Sequence, residues 1–261
     1  MKTKLIRSLY VITLAMFINQ YSMASDVEVS GGAKLPLTLG LGVAYRDKPY
    51  AGFGDSKKTQ AVPIVMYEGE HFFARGNQIG WDFLNSEAWE LAVIGEYQGG
   101  QSYNNSDSKK LTAMNDRDPS FMAGGHVRWR PEKFGIKLTA LTDVSDESDG
   151  SQIRGELFYV HRAGDLAIRT FAQVAWQDSD LNDYYYGVRR REATATRAAY
   201  QADDDYNYVF GLSGVYQRKD SPWMFIGSLR YTVFGDEIDD SSITDDDEML
   251  TGLIGIAYTF W

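Results

Sequence analysis

From Tyr206 to Phe234 the side chains change character at every second residue, and few folds tolerate that period. Tyr206, Tyr208, Phe210, Leu212, Gly214 and Tyr216 share one parity. Asn207, Val209, Gly211, Ser213, Val215 and Gln217, small or polar, fill the other. After Arg218-Lys219-Asp220-Ser221-Pro222 the apolar parity resumes with Trp223, Phe225, Gly227, Leu229, Tyr231 and Val233. Ser228, Arg230 and Thr232 oppose it, together with the less tidy Met224, Ile226 and Phe234. A period of two over about ten residues means a β-strand, because successive side chains point to opposite faces. The apolar parity has aromatics at both ends and aliphatics or glycine between them. A strand whose centre meets hydrocarbon and whose ends meet lipid headgroups needs that order. The chain therefore reads as all-β, a transmembrane antiparallel up-and-down β-barrel of the outer-membrane type.

The N-terminus agrees with that address. Lys2, Lys4 and Arg7 form a basic start, Leu9 to Ile18 is mostly apolar, and Ser22-Met23-Ala24 is a small-x-small cleavage site. Cleavage is expected between Ala24 and Ser25, which makes residues 1–24 a signal peptide, 25–34 a periplasmic segment and 35–261 the barrel. The apolar run is shorter than the roughly twenty residues a membrane helix needs. With no cysteine in the chain, a lipid-anchored N-terminus, disulfides and thiolate chemistry are all excluded. The formal net charge of −10 becomes more negative once the three signal-peptide bases leave, so phosphate-directed binding of nucleic acid is not expected. No later apolar run is long enough for a membrane helix. A closed barrel is then the remaining way to pair every backbone group in lipid. Aromatics at 14% and 25 glycines suit a barrel but also a soluble sandwich, so the pattern decides.

Further strands follow the same rule. Leu35, Leu37, Leu39, Leu41, Val43 and Tyr45 alternate with Thr38, Gly40, Gly42, Ala44 and Arg46. Three shorter pieces cover 61–68, 71–75 and 78–84. Trp89, Leu91, Val93, Gly95 and Tyr97 face away from Glu90 and Glu96. Clear strands recur around Val127, Leu138, Leu157 and Val174, and the chain closes with Ile254, Ile256, Tyr258 and Phe260, with Trp261 one residue beyond. Short connections (130–133, 162–165, 218–222) alternate with longer ones (99–119, 143–150, 178–205, 235–248), as periplasmic turns alternate with outside loops. Twelve strands result, or ten if one hairpin is dropped.

The inward parity collects Arg46, Glu90, Glu96, His126, Arg128, Lys137, Arg154, Glu156, Arg169 and Arg230. Mixed charges in so narrow a barrel are expected to pair and bind water. The sharper alternative is a narrow channel for small anionic solutes, since bases outnumber acids in that set. His71, His126 and His161 lie in no nucleophile motif or metal-ligand spacing, so neither catalysis nor a cofactor is expected. The acidic stretches 143–149 and 236–248 lack the spacing of a calcium loop and read as solvated tips.

The loop 178–205 holds Tyr184-Tyr185-Tyr186-Gly187-Val188 and later Ala199-Tyr200. Its tyrosines either pack over the barrel mouth or meet a partner, and 192–199 is a candidate short helix. These elements, with Gly40-Leu41-Gly42-Val43-Ala44-Tyr45, the 63–67 piece, Phe72-Phe73-Ala74-Arg75-Gly76 and the 80–84 strand, resemble the MipA/OmpV family in their order along the whole mature chain. The basic run 189–191 and Trp261 depart from that pattern. The resemblance implies an outer-membrane scaffold that contacts a membrane-bound lytic transglycosylase and a bifunctional murein synthase, amid lipid and lipopolysaccharide. Other members are linked to adhesion or antibiotic response. Such contacts need a periplasmic surface, and the turns supply Arg130, Lys133, Arg162, Arg218 and Lys219.

Overall fold

The computed structural model describes residues 37–53 and 58–260. The expected signal peptide, its Ala24/Ser25 cleavage point, the 25–34 segment, Leu35 and Trp261 lie outside them. Twelve strands form one closed antiparallel barrel, each paired with its sequence neighbours and β12 with β1. They are β1 (Leu37–Arg46), β2 (Thr59–Glu68), β3 (Phe72–Arg75), β4 (Gln78–Asn85), β5 (Trp89–Gln98), β6 (Ser120–Trp129), β7 (Phe134–Asp143), β8 (Ser151–Ala163), β9 (Leu166–Gln177), β10 (Asp205–Gln217), β11 (Trp223–Val233) and β12 (Glu248–Phe260). The count is twelve, not ten. Among the described residues no helix is long and apolar enough to cross a membrane.

Alternation becomes inside and outside. On β1, Leu41 is 69% exposed and Val43 is exposed, while Ala44 is buried. On the pair β10–β11, Leu212 lies opposite Leu229 with both exposed, and Ser213 lies opposite Ser228 inside the barrel. The outward face is an apolar belt that only lipid can satisfy. The barrel closes where Gly40 faces Ala257 across β1 and β12. A Cβ on Gly40 would stand 2.3 Å from the Ile256 carbonyl oxygen, so glycine lets the two backbones meet.

The hairpin of β3 and β4 stops short. Its Gly76 N–H donates to the Val65 carbonyl at 3.1 Å, and β3 reaches only Met66–Glu68 of β2. Backbone groups alternate sides along a strand, so Pro63 aims its missing N–H at the same edge as Val65, beyond the reach of β3. An edge is where proline costs no ladder bond.

The long connections gather at one end (the loop end) and the short ones at the other (the turn end). At the loop end lie a 3₁₀ turn (Lys109–Leu111), α1 (Ser179–Tyr186) and α2 (Asp236–Asp239). The expected helix over 192–199 is absent. Thr194 and Arg197 instead exchange backbone hydrogen bonds, and the Glu192 carbonyl accepts from the Arg197 guanidinium at 2.6 Å. Side-chain bonds thus replace the ladder that alanine content favoured. The helix stands earlier, where the Asp178 carboxylate accepts from the Leu181 N–H at 3.0 Å and caps α1.

The interior also departs from an all-polar lumen. Ile64, Met66, Val215, Met224, Ile226 and Ala257 form a buried cluster inside the barrel. Ala44, Val62 and Leu253 form a second. Met224 and Ile226, untidy as sequence, are the inward residues of β11 packing across this apolar side.

Candidate functional site

On β3–β9 charge shares the interior with two further buried clusters, one of Phe73, Ala92, Ile94, Met122 and Leu141 and one of Phe158, Val160, Phe171 and Val209. Glu90 accepts from Arg75 at 3.0 Å, His126 Nε2 at 2.7 Å and Arg128 at 2.6 Å. Arg75 also holds Glu68 at 2.6 Å. Nearer the loop end, both Glu96 oxygens meet the Arg154 fork, at 3.0 and 2.7 Å, and also accept from Gln78 and Gln98. Glu156 pairs with Arg169, whose guanidinium lies 4.5 Å from the centre of the Phe158 ring. That ring rests over Gly135, where a Cβ would come within 2.2 Å of it. Lys137 stands in register between Arg128 and Glu156. Removing one partner from such a layer leaves a buried charge uncompensated, which costs about 3–5 kcal/mol. The layer is therefore fixed by its own geometry.

Above it, towards the loop end, lies a cavity of about 160 Å³. Arg46, Glu96, Arg154 and Arg230 are its charged lining residues, three bases to one acid. The sequence analysis missed the uncharged part of this wall: Asn77, Gln152 and Thr251 are buried polar residues that also line it. All three lie on the inward side, and polarity without charge gave no signal.

The loops roof this cavity with a core of their own. Tyr50, Tyr103, Leu111, Leu181, Tyr185 and Tyr186 are buried together, with Val188 among them. Tyr50 stacks on Tyr186 at 5.6 Å and meets Tyr103 edge-on at 4.7 Å. The Tyr185 hydroxyl accepts from the Ser120 N–H at 3.1 Å and donates to the Asp118 carbonyl at 3.2 Å. Tyr184, half-buried, donates to Glu147 at 3.2 Å, and Tyr200 donates to Glu237 at 2.9 Å. Gly187 closes α1 with its N–H on the Asp183 carbonyl. Tyr185 and Tyr186 are thus buried inside the cap, and Tyr184 stands at its edge.

Two residues that sequence reasoning passed over hold the cap. Arg117 binds the Tyr184 carbonyl and pairs with Glu192 at 3.1 Å. Arg197 reaches the Lys110 carbonyl at 2.5 Å and the Thr112 carbonyl at 3.2 Å. Burial pushes the Glu192 carboxyl up, but the Asn115 amide and the Arg117 guanidinium outweigh it and hold it below the usual range. Burial pushes the Tyr103 hydroxyl up to about 12 against the pull of Arg117, and Tyr184 up to about 12 as well.

At the turn end, Lys133, Arg162, Arg218 and Lys219 are exposed and Arg130 is half-buried. His71 stacks on Trp81 at 5.3 Å, and His161 is exposed. Among the described residues no group of three His, Asp or Glu could hold a metal ion.

Comparison with known proteins places these features in a lineage. The family model of MltA-interacting protein MipA matches residues 39–260. The MltA-interacting protein of Escherichia coli K12 is 30% identical over 228 residues, covering 85% of this chain and 90% of its own length. The outer membrane protein OmpV of Vibrio cholerae is 28% identical over 197 residues, covering 74% and 76%. Among solved structures, an outer membrane channel from Pseudomonas putida is similar over 89% of this chain and 100% of its own, with 11% identity and a TM-score of 0.44.

Proposed function

The chain belongs to the MltA-interacting protein family and is an outer-membrane β-barrel, and from that premise we propose that it is a scaffold whose turn end holds a murein-remodelling enzyme, a lytic transglycosylase or a murein synthase, against the outer membrane. The observation that carries this reading is a barrel interior packed with side chains apart from the one cavity described beneath the cap. Ion pairs and buried apolar clusters share the interior, and a packed core covers the loop end. What faces the periplasm in this reading is the rim of short turns, and its turns between β6 and β11 present Lys133, Arg162, Arg218 and Lys219. An acidic patch on a partner would meet these bases, in a contact weakened by salt. The outward belt meets lipid, and lipopolysaccharide is the expected neighbour in the outer leaflet.

The test is cross-linked capture from outer-membrane extract. Murein enzymes should be recovered with the native chain and lost when Arg130, Lys133, Arg218 and Lys219 are all changed to Ser. Equal recovery with both would remove the rim from the account.

A second reading, a narrow channel for small anionic solutes, is favoured by the three-to-one excess of bases around the cavity. Single-channel conductance in planar bilayers decides it. Anion-selective steps that fall with Arg128→Ser or Arg154→Ser would support transport, and silence at high voltage would end it.

A further inference from the structure

The barrel wall is interrupted above the short β3–β4 hairpin. On one side β2 pairs with β1 along 59–66, but on the other β3 meets only 66–68. The Gly76 N–H reaches the Val65 carbonyl, and 59–64 has no strand beside it. β5, the next strand to rise past the hairpin, is not bonded to β2. This break lies within the apolar belt, because Ala61 stands opposite Val43 and Pro63 opposite Leu41, both exposed. A bare sheet edge in hydrocarbon persists only where it lines a cavity or is buried in protein. An incoming strand is poorly received, since Pro63 has no N–H to offer it.

The break is framed as a window. Gly76 and Asn77 form its sill, and β2 and residues 97–98 of β5 form its sides. Its lintel is the start of the β5–β6 connection, which is tied across to the end of β1. A Cβ on Gly100 would stand 2.2 Å from Arg46 Nη1, the Gln101 carbonyl accepts from the Tyr50 hydroxyl at 2.5 Å, and the Ser102 carbonyl accepts from Lys48 at 2.5 Å. Behind the window lies the cavity beneath the cap, because Asn77, Tyr97, Gly99, Gly100 and Gln101 line it as well. Gln60 has inward parity and is nonetheless exposed, as a residue beside an opening would be.

The path sets the chemistry of what can pass. Outside, Ala61 and Pro63 flank the window on β2, and Tyr97 and its cross-strand neighbour Phe121 flank it on β5 and β6. Inside, the charges are engaged: Glu96 is held by the Arg154 fork, and Arg46 and Arg230 have contacts of their own. The polar atoms left open are neutral, for Asn77 Oδ1, Gln152 Nε2 and Thr251 Oγ1 are buried without hydrogen-bond partners. A hydroxyl group donates to the first and accepts from the second. We propose that the window admits a small neutral amphiphile, an apolar chain with a hydroxyl head, sideways from the surrounding bilayer into the cavity. Sideways entry requires neither scaffolding at the turn end nor passage of anions along the barrel, so it stands apart from both readings above.

Photo-cross-linking tests it, with the full-length barrel in phosphatidylcholine vesicles and a diazirine-bearing octanol as the probe. Saturable labelling of 76–77 and 97–102 is expected, with unlabelled octanol competing at least tenfold better than octane or octanoate. Ala61→Trp fills the window from an exposed position, and Gln152→Leu removes a donor to the head. Each should cut labelling fivefold or more while the barrel keeps its heat-sensitive migration in gels. The competition series uses the native chain alone, so no folding defect can imitate it. Absent saturation, or octane or octanoate competing as well as octanol, would overturn the proposal. So would unchanged labelling in Ala61→Trp, since the alcohol would then come in past the loops.

Discussion

Arg117 and Glu192 meet at 3.1 Å with both side chains only 1% exposed, although they belong to loops separated by four intervening strands. The pair ties the β5–β6 connection to the β9–β10 connection from within the cap. Glu192 also accepts from the backbone N–H groups of Asn115 at 2.9 Å and Arg189 at 3.1 Å. A carboxylate with four donors around it is an anchor for two loops at once.

Replacing Glu192 by Gln should therefore loosen the cap without opening the barrel. Arg117 would keep its charge and lose its counterion in a buried place, a change that costs about 3–5 kcal/mol. That cost falls on the loops, because no strand contributes to the pair. Hydrogen exchange should rise across 99–119 and 187–200 while the strands remain protected. A matching rise throughout β5, β6, β9 and β10 would show that cap and wall unfold together.

The same pair sets how the cap answers to pH. Glu192 has a carboxyl held below the usual range, so its contribution is present above the unfolded value and disappears as pH falls through the lower folded value. The tyrosines work in the other direction. With Tyr103 and Tyr184 raised to about 12, their contribution is complete below the ordinary tyrosine range near 10 and fades as pH rises towards 12. Loop protection should be flat from neutrality down to pH 5, and weaken below the carboxylate range and above pH 10. Absorbance at 295 nm should show these hydroxyls ionising late. A cap that loosens between pH 5 and 8 would contradict the assignment.

What the sequence made legible was the wall. Alternation at Leu212 and Ser213 told outside from inside because one lipid face and a period of two leave no second register. The charged inward residues were legible for the same reason, but not their partners. Whether Glu90 meets Arg75 or Arg128 depends on the stagger between strands, which no single strand encodes. The apolar side of the lumen was hidden likewise: Met224 and Ile226 look like lapses until Ile64 and Met66 arrive from β2. The cap was least legible. Its helix started from an Asp178 cap rather than from the alanines near 198, since Arg197 and Glu192 had spent that segment's hydrogen bonds elsewhere.

Leu212→Arg tests the belt. The side chain is 47% exposed in the middle of β10, opposite Leu229. A base at mid-membrane depth on the lipid face costs about 2–4 kcal/mol. Urea titration of folding into lipid vesicles should show a loss of that size. A substitution at Ser213, one residue along and inward, should instead leave lipid insertion alone and disturb packing. Equal losses at both positions would mean that Leu212 does not face hydrocarbon.

The seam at Gly40 gives the most demanding test of closure. Here the first and last strands, farthest apart in the chain, must meet. Gly40→Ala puts a methyl group 2.3 Å from the Ile256 carbonyl oxygen and 2.6 Å from the Ala257 Cα. Both are backbone, so neither can swing aside as a side chain would. The strands must separate locally, and an overpacked contact costs about 1–3 kcal/mol. The loss should appear as slower folding into vesicles and as faster exchange of the β1 and β12 amides, with β6–β9 unchanged. Gly155→Ala on β8, where a Cβ meets nothing within 4 Å, is the matched control and should fold at the native rate. If Gly40→Ala also folds at that rate, the close approach of β1 to β12 is not what limits closure.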